Sequence, residues 1–124
     1  MRKRNFKGRC EKRSVPKCIE ICRTYDAIQS AFADALAMDD EVVEFRCNVY
    51  LDGLSLGDYT TDFVCTKTDG TIMVRECVWR SKLSKPLTYN LLEASRNYWR
   101  NHGVIDWGIV VNEKEYLSQF FFTS

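Results

Sequence analysis

"YTTDFVCTKTDGTIMVRECVW", residues 59–79, decides the fold. Two runs rich in β-branched and aromatic residues flank Thr68-Asp69-Gly70, the composition of a turn between antiparallel strands. The second run puts Ile72, Val74, Glu76 and Val78 on one face, so a carboxylate interrupts an apolar row. Asp62 raises the same question in the first run. A two-residue Asp69-Gly70 turn sets Asp62 opposite Cys77 and sends Glu76 to the other face. A three-residue loop with Gly70 left-handed sets Asp62 opposite Glu76, with Cβ atoms about 5 Å apart. The sequence permits both registers. In the second, two like charges in a half-buried row require a cation or a proton between them. Asp62, Glu76 and the backbone carbonyl of Cys77 would then make a hard oxygen site suited to Mg2+ or Mn2+. Such an ion lowers the pKa of an attacking water and neutralises charge on a phosphodiester. As an ordinary structural feature, the same two residues would be solvated positions on a sheet edge.

Upstream, "EVVEFRCNVYLDG" (41–53) reads as a third strand closed by Asp52-Gly53, giving an antiparallel meander. Before it, Thr24 is placed to cap a helix running to Met38, with Tyr25, Ile28, Phe32, Ala35 and Leu36 repeating at about 3.6 residues. Downstream, Pro86 suits the first turn of a second helix that stops at Gly103, with Leu87, Leu91, Ala94 and Tyr98 as its buried side. Arg96 and Arg100 fall on the polar side of that helix, and His102 is placed to cap its carboxyl end. "DWGIVVN" (106–112) is a continuous apolar strand of the kind covered on both faces, and "EKEYLSQFFF" (113–122) reads as a short terminal helix. Trp79, Trp99 and Trp107 sit in apolar segments and read as core. The order is α-β-β-β-α-β. A strand reached through a long helix joins its sheet in parallel, so the expected fold is α/β, a mixed sheet of about four strands flanked by helices.

At 124 residues the chain is one domain, read as a basic tail at 1–17 followed by a single unit at 18–124. Residues 1–17 carry eight Lys or Arg against one Glu, whereas the remainder carries ten against sixteen acidic groups. A polycation of this kind, with Arg2, Lys3, Arg4, Lys7, Arg9, Lys12 and Arg13, can neutralise phosphates and give salt-sensitive affinity for nucleic acid, double-stranded DNA included, and is equally common as a solvated tail with no ligand. No apolar run is long enough for a membrane span or a signal-peptide core, so no membrane is expected and the cytoplasm is the default compartment. The six cysteines, Cys10, Cys18, Cys22, Cys47, Cys65 and Cys77, contain no CxxC pair, and His102 is the only histidine. They are read as reduced thiols behaving as small hydrophobes, not as zinc ligands.

"DYTTDF" followed by "DGTIMVREC" resembles the core of the PD-(D/E)xK nucleases, which share the restriction-endonuclease-like fold. More closely, "RTYDAIQSAFADAL", "DDEVVEFRCNV", "YTTDF", "VRECVWR" and "DWGIV", from about Arg23 to Val111, resemble the TnsA-like endonuclease N-terminal domain of heteromeric transposases. The resemblance implies a restriction-endonuclease-like core and a Mg2+-dependent endonuclease that cuts DNA at transposon ends beside a partner transposase subunit. It places the metal-holding Asp on Asp62 and the second strand ligand on Glu76. The helix Glu falls on Gln29, whose amide oxygen could coordinate or hold a water, with Glu20 upstream as a possible substitute. The Lys position falls on Val78. Arg80, two residues along the same strand row, could clamp phosphate but not act as a base, and Lys82 and Lys85 offer amines nearby. The departures at Gln29 and Val78 also fit a different class, a catalytically inactive DNA-binding or scaffolding module that keeps the nuclease fold.

Overall fold

The computed structural model describes residues 10–55 and 57–112. Two short strands come first, β1 (Glu11–Arg13) and β2 (Cys22–Thr24), paired antiparallel. Then follow α1 (Ala27–Met38), β3 (Val42–Tyr50), β4 (Thr60–Lys67), β5 (Ile72–Val78), α2 (Pro86–Asn101) and β6 (Asp106–Val111). β3 to β6 form a mixed sheet in the order β3-β4-β5-β6, antiparallel except for β6, which joins β5 in parallel as the long α2 connection requires. The fold is α/β, with the expected α-β-β-β-α-β order and an added hairpin in front.

The β4–β5 turn takes the three-residue form. Lys67 N–H donates to Thr71 O at 2.9 Å and Gly70 N–H to Lys67 O at 2.9 Å, while Gly70 sits at φ +87°. Phe63 then pairs with Arg75 and Cys65 with Met73, which puts Asp62 level with Glu76. No heavy atom lies within 4 Å of a Cβ built on Gly70, so Gly70→Ala carries only the backbone penalty. The expected loss is about 1–2 kcal/mol in denaturant unfolding; a loss within error of zero would contradict the left-handed turn.

Strand alternation sends alternate side chains to two layers. Phe63, Cys65, Met73, Cys77 and Val110 pack with Ile28, Phe32, Ala33 and Leu36 of α1, and Phe63 meets Phe32 and Phe45 edge to face at 5.4 and 5.9 Å. Val64, Ile72, Val74, Val78, Trp107 and Ile109 pack with Leu92 and Trp99 of α2. β6 therefore has both faces covered, as its unbroken apolar run implies. Among the described residues no helix is long and apolar enough to cross a membrane.

Four expectations are corrected. Asp26, not Thr24, caps α1, its Oδ1 accepting from Gln29 N–H at 2.9 Å; Thr24 is buried at the end of β2. The buried side of α2 is rotated by about one residue from the apolar one: Leu92 and Ser95 are buried, whereas Leu87 is 52% exposed and Leu91, Ala94 and Tyr98 are only half-buried. The folded unit also begins before residue 18, since Glu11–Arg13 is a strand and Val15 joins the core. Finally, Cys10, Cys18 and Cys47 are only half-buried, so the thiols are not uniformly core hydrophobes. Cys65 does fit that description, with burial pushing its thiol from 9.0 up to about 12. A raised folded-state pKa means that this stabilisation is whole below the ordinary thiol value and is lost as pH rises toward 12. Alkylation of the native protein at pH 8 is accordingly expected to leave Cys65 unmodified, read by peptide mass mapping. The 113–122 segment lies outside the described residues.

Candidate functional site

The backbone pairs of β4 and β5 run as far as Phe63 and Arg75. At the next level, side chains join the two strands. Asp62 N–H donates to Glu76 Oε1 at 3.0 Å, and Cys77 N–H donates to Asp62 Oδ2 at 2.7 Å. Each carboxylate thus takes a backbone N–H from the opposite strand.

Both helices reach this point. Gln29, on the first turn of α1, donates from Nε2 to Asp62 Oδ1 at 3.3 Å, and Ser95, midway along α2, donates from Oγ to Glu76 Oε2 at 2.6 Å. Ser95 Oγ in turn accepts from Trp107 Nε1 at 3.1 Å, and Trp99 Nε1 donates to Thr61 Oγ1 at 2.8 Å. Gln29, Asp62, Glu76 and Ser95 are all at most 2% exposed. Buried carboxylates survive only where donors, protons or cations offset their lost hydration, and here the donors are N–H and O–H groups of four different elements.

The pairing places Asp62 beside Glu76, in the register that the three-residue turn produces. The two carboxylates nevertheless lean toward different layers, Asp62 toward α1 and Glu76 toward α2. Gln29 does reach Asp62, but as a donor. Its Oε1 accepts Tyr25 N–H at 2.7 Å, which fixes the amide with its NH2 toward the carboxylate and removes the oxygen considered as a metal ligand. Cys77 meets Asp62 through its N–H, while its side chain belongs to the α1 core. Val78, at the position of the family's Lys, is buried in the α2 layer.

Arg80 does not continue the strand row. β5 ends at Val78 and a single 3-10 turn follows at Arg80–Lys82, so the two-residue alternation stops before it. Arg80 N–H donates to Asn112 Oδ1 at 2.7 Å and its Nε to Asn112 O at 3.2 Å, holding the residue near the end of β6. Lys82, which ends that turn, and Lys85, which directly precedes α2, are both exposed. Glu20, the upstream substitute considered for the helix Glu, lies on the loop before β2, its carboxylate 3.8 Å from Arg46. Among the expected DNA contacts, Lys12 is exposed on β1. Arg13 is engaged within the protein, 2.9 Å from Asp34 and bonded to Ser30, and this pairing raises its guanidinium pKa. Arg2, Lys3, Arg4, Lys7 and Arg9 lie outside the described residues. His102 caps α2 as expected, its Nδ1 2.7 Å from Tyr98 O.

Ser95 and the tryptophan N–H groups carried no sequence signal for this site. A lone serine in an amphipathic helix is unremarkable, and its partner lies nineteen residues away. No family model matches this chain, and it matches none of the curated proteins.

Proposed function

We propose that this chain is a metal-dependent DNA endonuclease with a restriction-endonuclease-like core, the TnsA-like DNA-cleaving subunit of a heteromeric transposase, hydrolysing phosphodiester bonds at transposon ends. The observation that carries the reading is the pairing of Asp62 with Glu76 where β4 and β5 cease to share a backbone ladder. Two carboxylates buried at a strand separation make an improbable structural element, because apolar residues would pack there without cost. The order of elements around them agrees with the motif order that carries the resemblance.

In this reading Asp62 and Glu76 hold Mg2+ or Mn2+, which supplies an activated water and neutralises charge on the scissile phosphate. Gln29 and Ser95 are positioning residues: their hydrogen bonds fix the two carboxylates without touching the substrate. Val78 has no proton to give or take, so this chain offers no lysine base at that position. Lys82 and Lys85, exposed at the end of the 3-10 turn and just beyond it, contact the DNA backbone together with the basic N-terminal residues, and they do so without reading sequence. The partner transposase comes from the resemblance.

A second reading, an inactive nuclease-fold module that binds DNA or scaffolds a complex, draws on two particulars: Val78 in the apolar layer, and Gln29 turned as a donor. Supercoiled-plasmid nicking with Mn2+ or Mg2+ separates the two. The first reading expects nicking by the wild type that is lost in Asp62→Ala and Glu76→Ala. Nicking that survives both substitutions removes the proposed centre. DNA binding with no nicking by any of the three proteins supports the second reading.

A further inference from the structure

The loop that precedes β2 lies along the edge of β3. Phe45 N–H donates to Lys17 O at 2.9 Å, Ile19 N–H donates to Phe45 O at 3.0 Å, and Asn48 Nδ2 donates to Arg23 O at 2.8 Å. This docking brings Cys18 of the loop and Cys22, at the start of β2, to Cys47 of β3, so that all three sulfurs lie within 4.8 Å of one another. We propose that Cys18, Cys22 and Cys47 form a thiolate site for a soft divalent cation, Zn2+ in the first instance, which pins this loop to the sheet.

The spacing suits the ion. Zn–S bonds of about 2.3 Å in a tetrahedron put sulfurs roughly 3.8 Å apart, so closing the site needs side-chain shifts of about 1 Å or less. The surroundings suit thiolates. Arg23 N–H donates to Cys47 Sγ at 3.4 Å, a donor of the kind that holds metal-bound sulfur in place. Backbone geometry adds a separate observation. Among the described residues, Lys17 at φ +73° and Asn48 at φ +57° are the positive-φ residues other than glycine, and they directly precede Cys18 and directly follow Cys47. At Lys17 this is a conformation that such residues hold only where surrounding contacts enforce it, whereas asparagine enters it more readily.

Among the described residues, no fourth carboxylate, histidine or cysteine joins the cluster. A tetrahedral Zn2+ would therefore keep one position for water, and the half-buried Cys18 and Cys47 leave a route for the ion. Zn2+ takes these sulfurs as thiolates, so binding the ion releases the protons they carry. The site is chemically distinct from the Asp62–Glu76 pair. Sulfur selects Zn2+ over Mg2+, so neither site depends on the other being correct.

The test uses the full, reduced chain, stripped with a chelator and titrated anaerobically with Co2+ as a spectroscopic stand-in for Zn2+. One equivalent is expected to produce a thiolate-to-cobalt charge-transfer band, which Zn2+ then bleaches. Cys18→Ser and Cys47→Ser should weaken binding at least about a hundredfold, by analogy with the loss of a metal-orienting group, whereas Cys10→Ser should not change it. Should the Ser variants fail to fold, wild-type alkylation decides instead: Zn2+ should protect Cys18 and Cys47 but not Cys10. No band from fully reduced protein, a band unchanged in both variants, alkylation that Zn2+ does not slow, or a disulfide among these cysteines after purification with Zn2+ would each overturn the site.

Discussion

Glu76→Gln is expected to slow divalent-dependent plasmid nicking by about a hundredfold or more while leaving the chain folded. A ligand carboxylate contributes several kcal/mol of charge stabilisation at the metal, and each 1.4 kcal/mol is about tenfold in rate. Stability should respond quite differently. Glutamine keeps an oxygen where Glu76 Oε1 accepts Asp62 N–H, and it replaces Oε2 with an NH2 facing Ser95 Oγ. The serine hydroxyl can turn to accept that bond, and losing a fully buried charge offsets part of the loss. The net change in unfolding free energy should stay within about 1–2 kcal/mol. Two measurements therefore separate a ligand from a purely structural carboxylate: the nicking rate, and the rise in melting temperature expected when Mg2+ is added to the wild type. A Glu76→Gln protein that nicks at the wild-type rate, or that Mg2+ still stabilises fully, contradicts the assignment.

Ser95→Ala is expected to have the largest effect on stability, about 2–4 kcal/mol or roughly 10 °C in melting temperature. The substitution removes the 2.6 Å donor to Glu76 and also the acceptor of Trp107 Nε1–H at 3.1 Å, leaving two buried polar groups without those partners. Alanine's better helix propensity returns only a few tenths of a kcal/mol. Two leucines nearby calibrate the measurement. Leu92→Ala, in the α2 layer, should cost about 2–4 kcal/mol, while Leu87→Ala, half exposed, should cost under about 1 kcal/mol. If Leu87→Ala proved the costlier of the two, the buried side of α2 would be the one its apolar residues suggest, and Ser95 would lose its place against Glu76.

That rotation of α2 shows where sequence reading reaches its limit. Apolar periodicity located the helix and both its ends, because Pro86 and Gly103 act through their own backbone constraints. It misplaced the buried side because it counts only apolar residues. Glu76, a polar residue inside the sheet, calls for a polar residue above it. The Arg80 error has a related cause: strand alternation was extended past Val78, where the chain leaves the sheet for a 3-10 turn. The register of β4 against β5, by contrast, was already one of two alternatives, and Gly70 chose between them.

The sequence by itself determined the order of elements from α1 to β6, though not the hairpin before them, and the presence of two carboxylates in the central strands, since strand and helix periods and turn chemistry are local properties. It also limited the hairpin to two registers. Only the tertiary structure decided the donors around Asp62 and Glu76, the orientation of the Gln29 amide, and the gathering of Cys18 and Cys22 with Cys47, about 25 residues further along the chain. Those features depend on which segments come to lie beside each other in space, and neither residue spacing nor composition encodes that proximity.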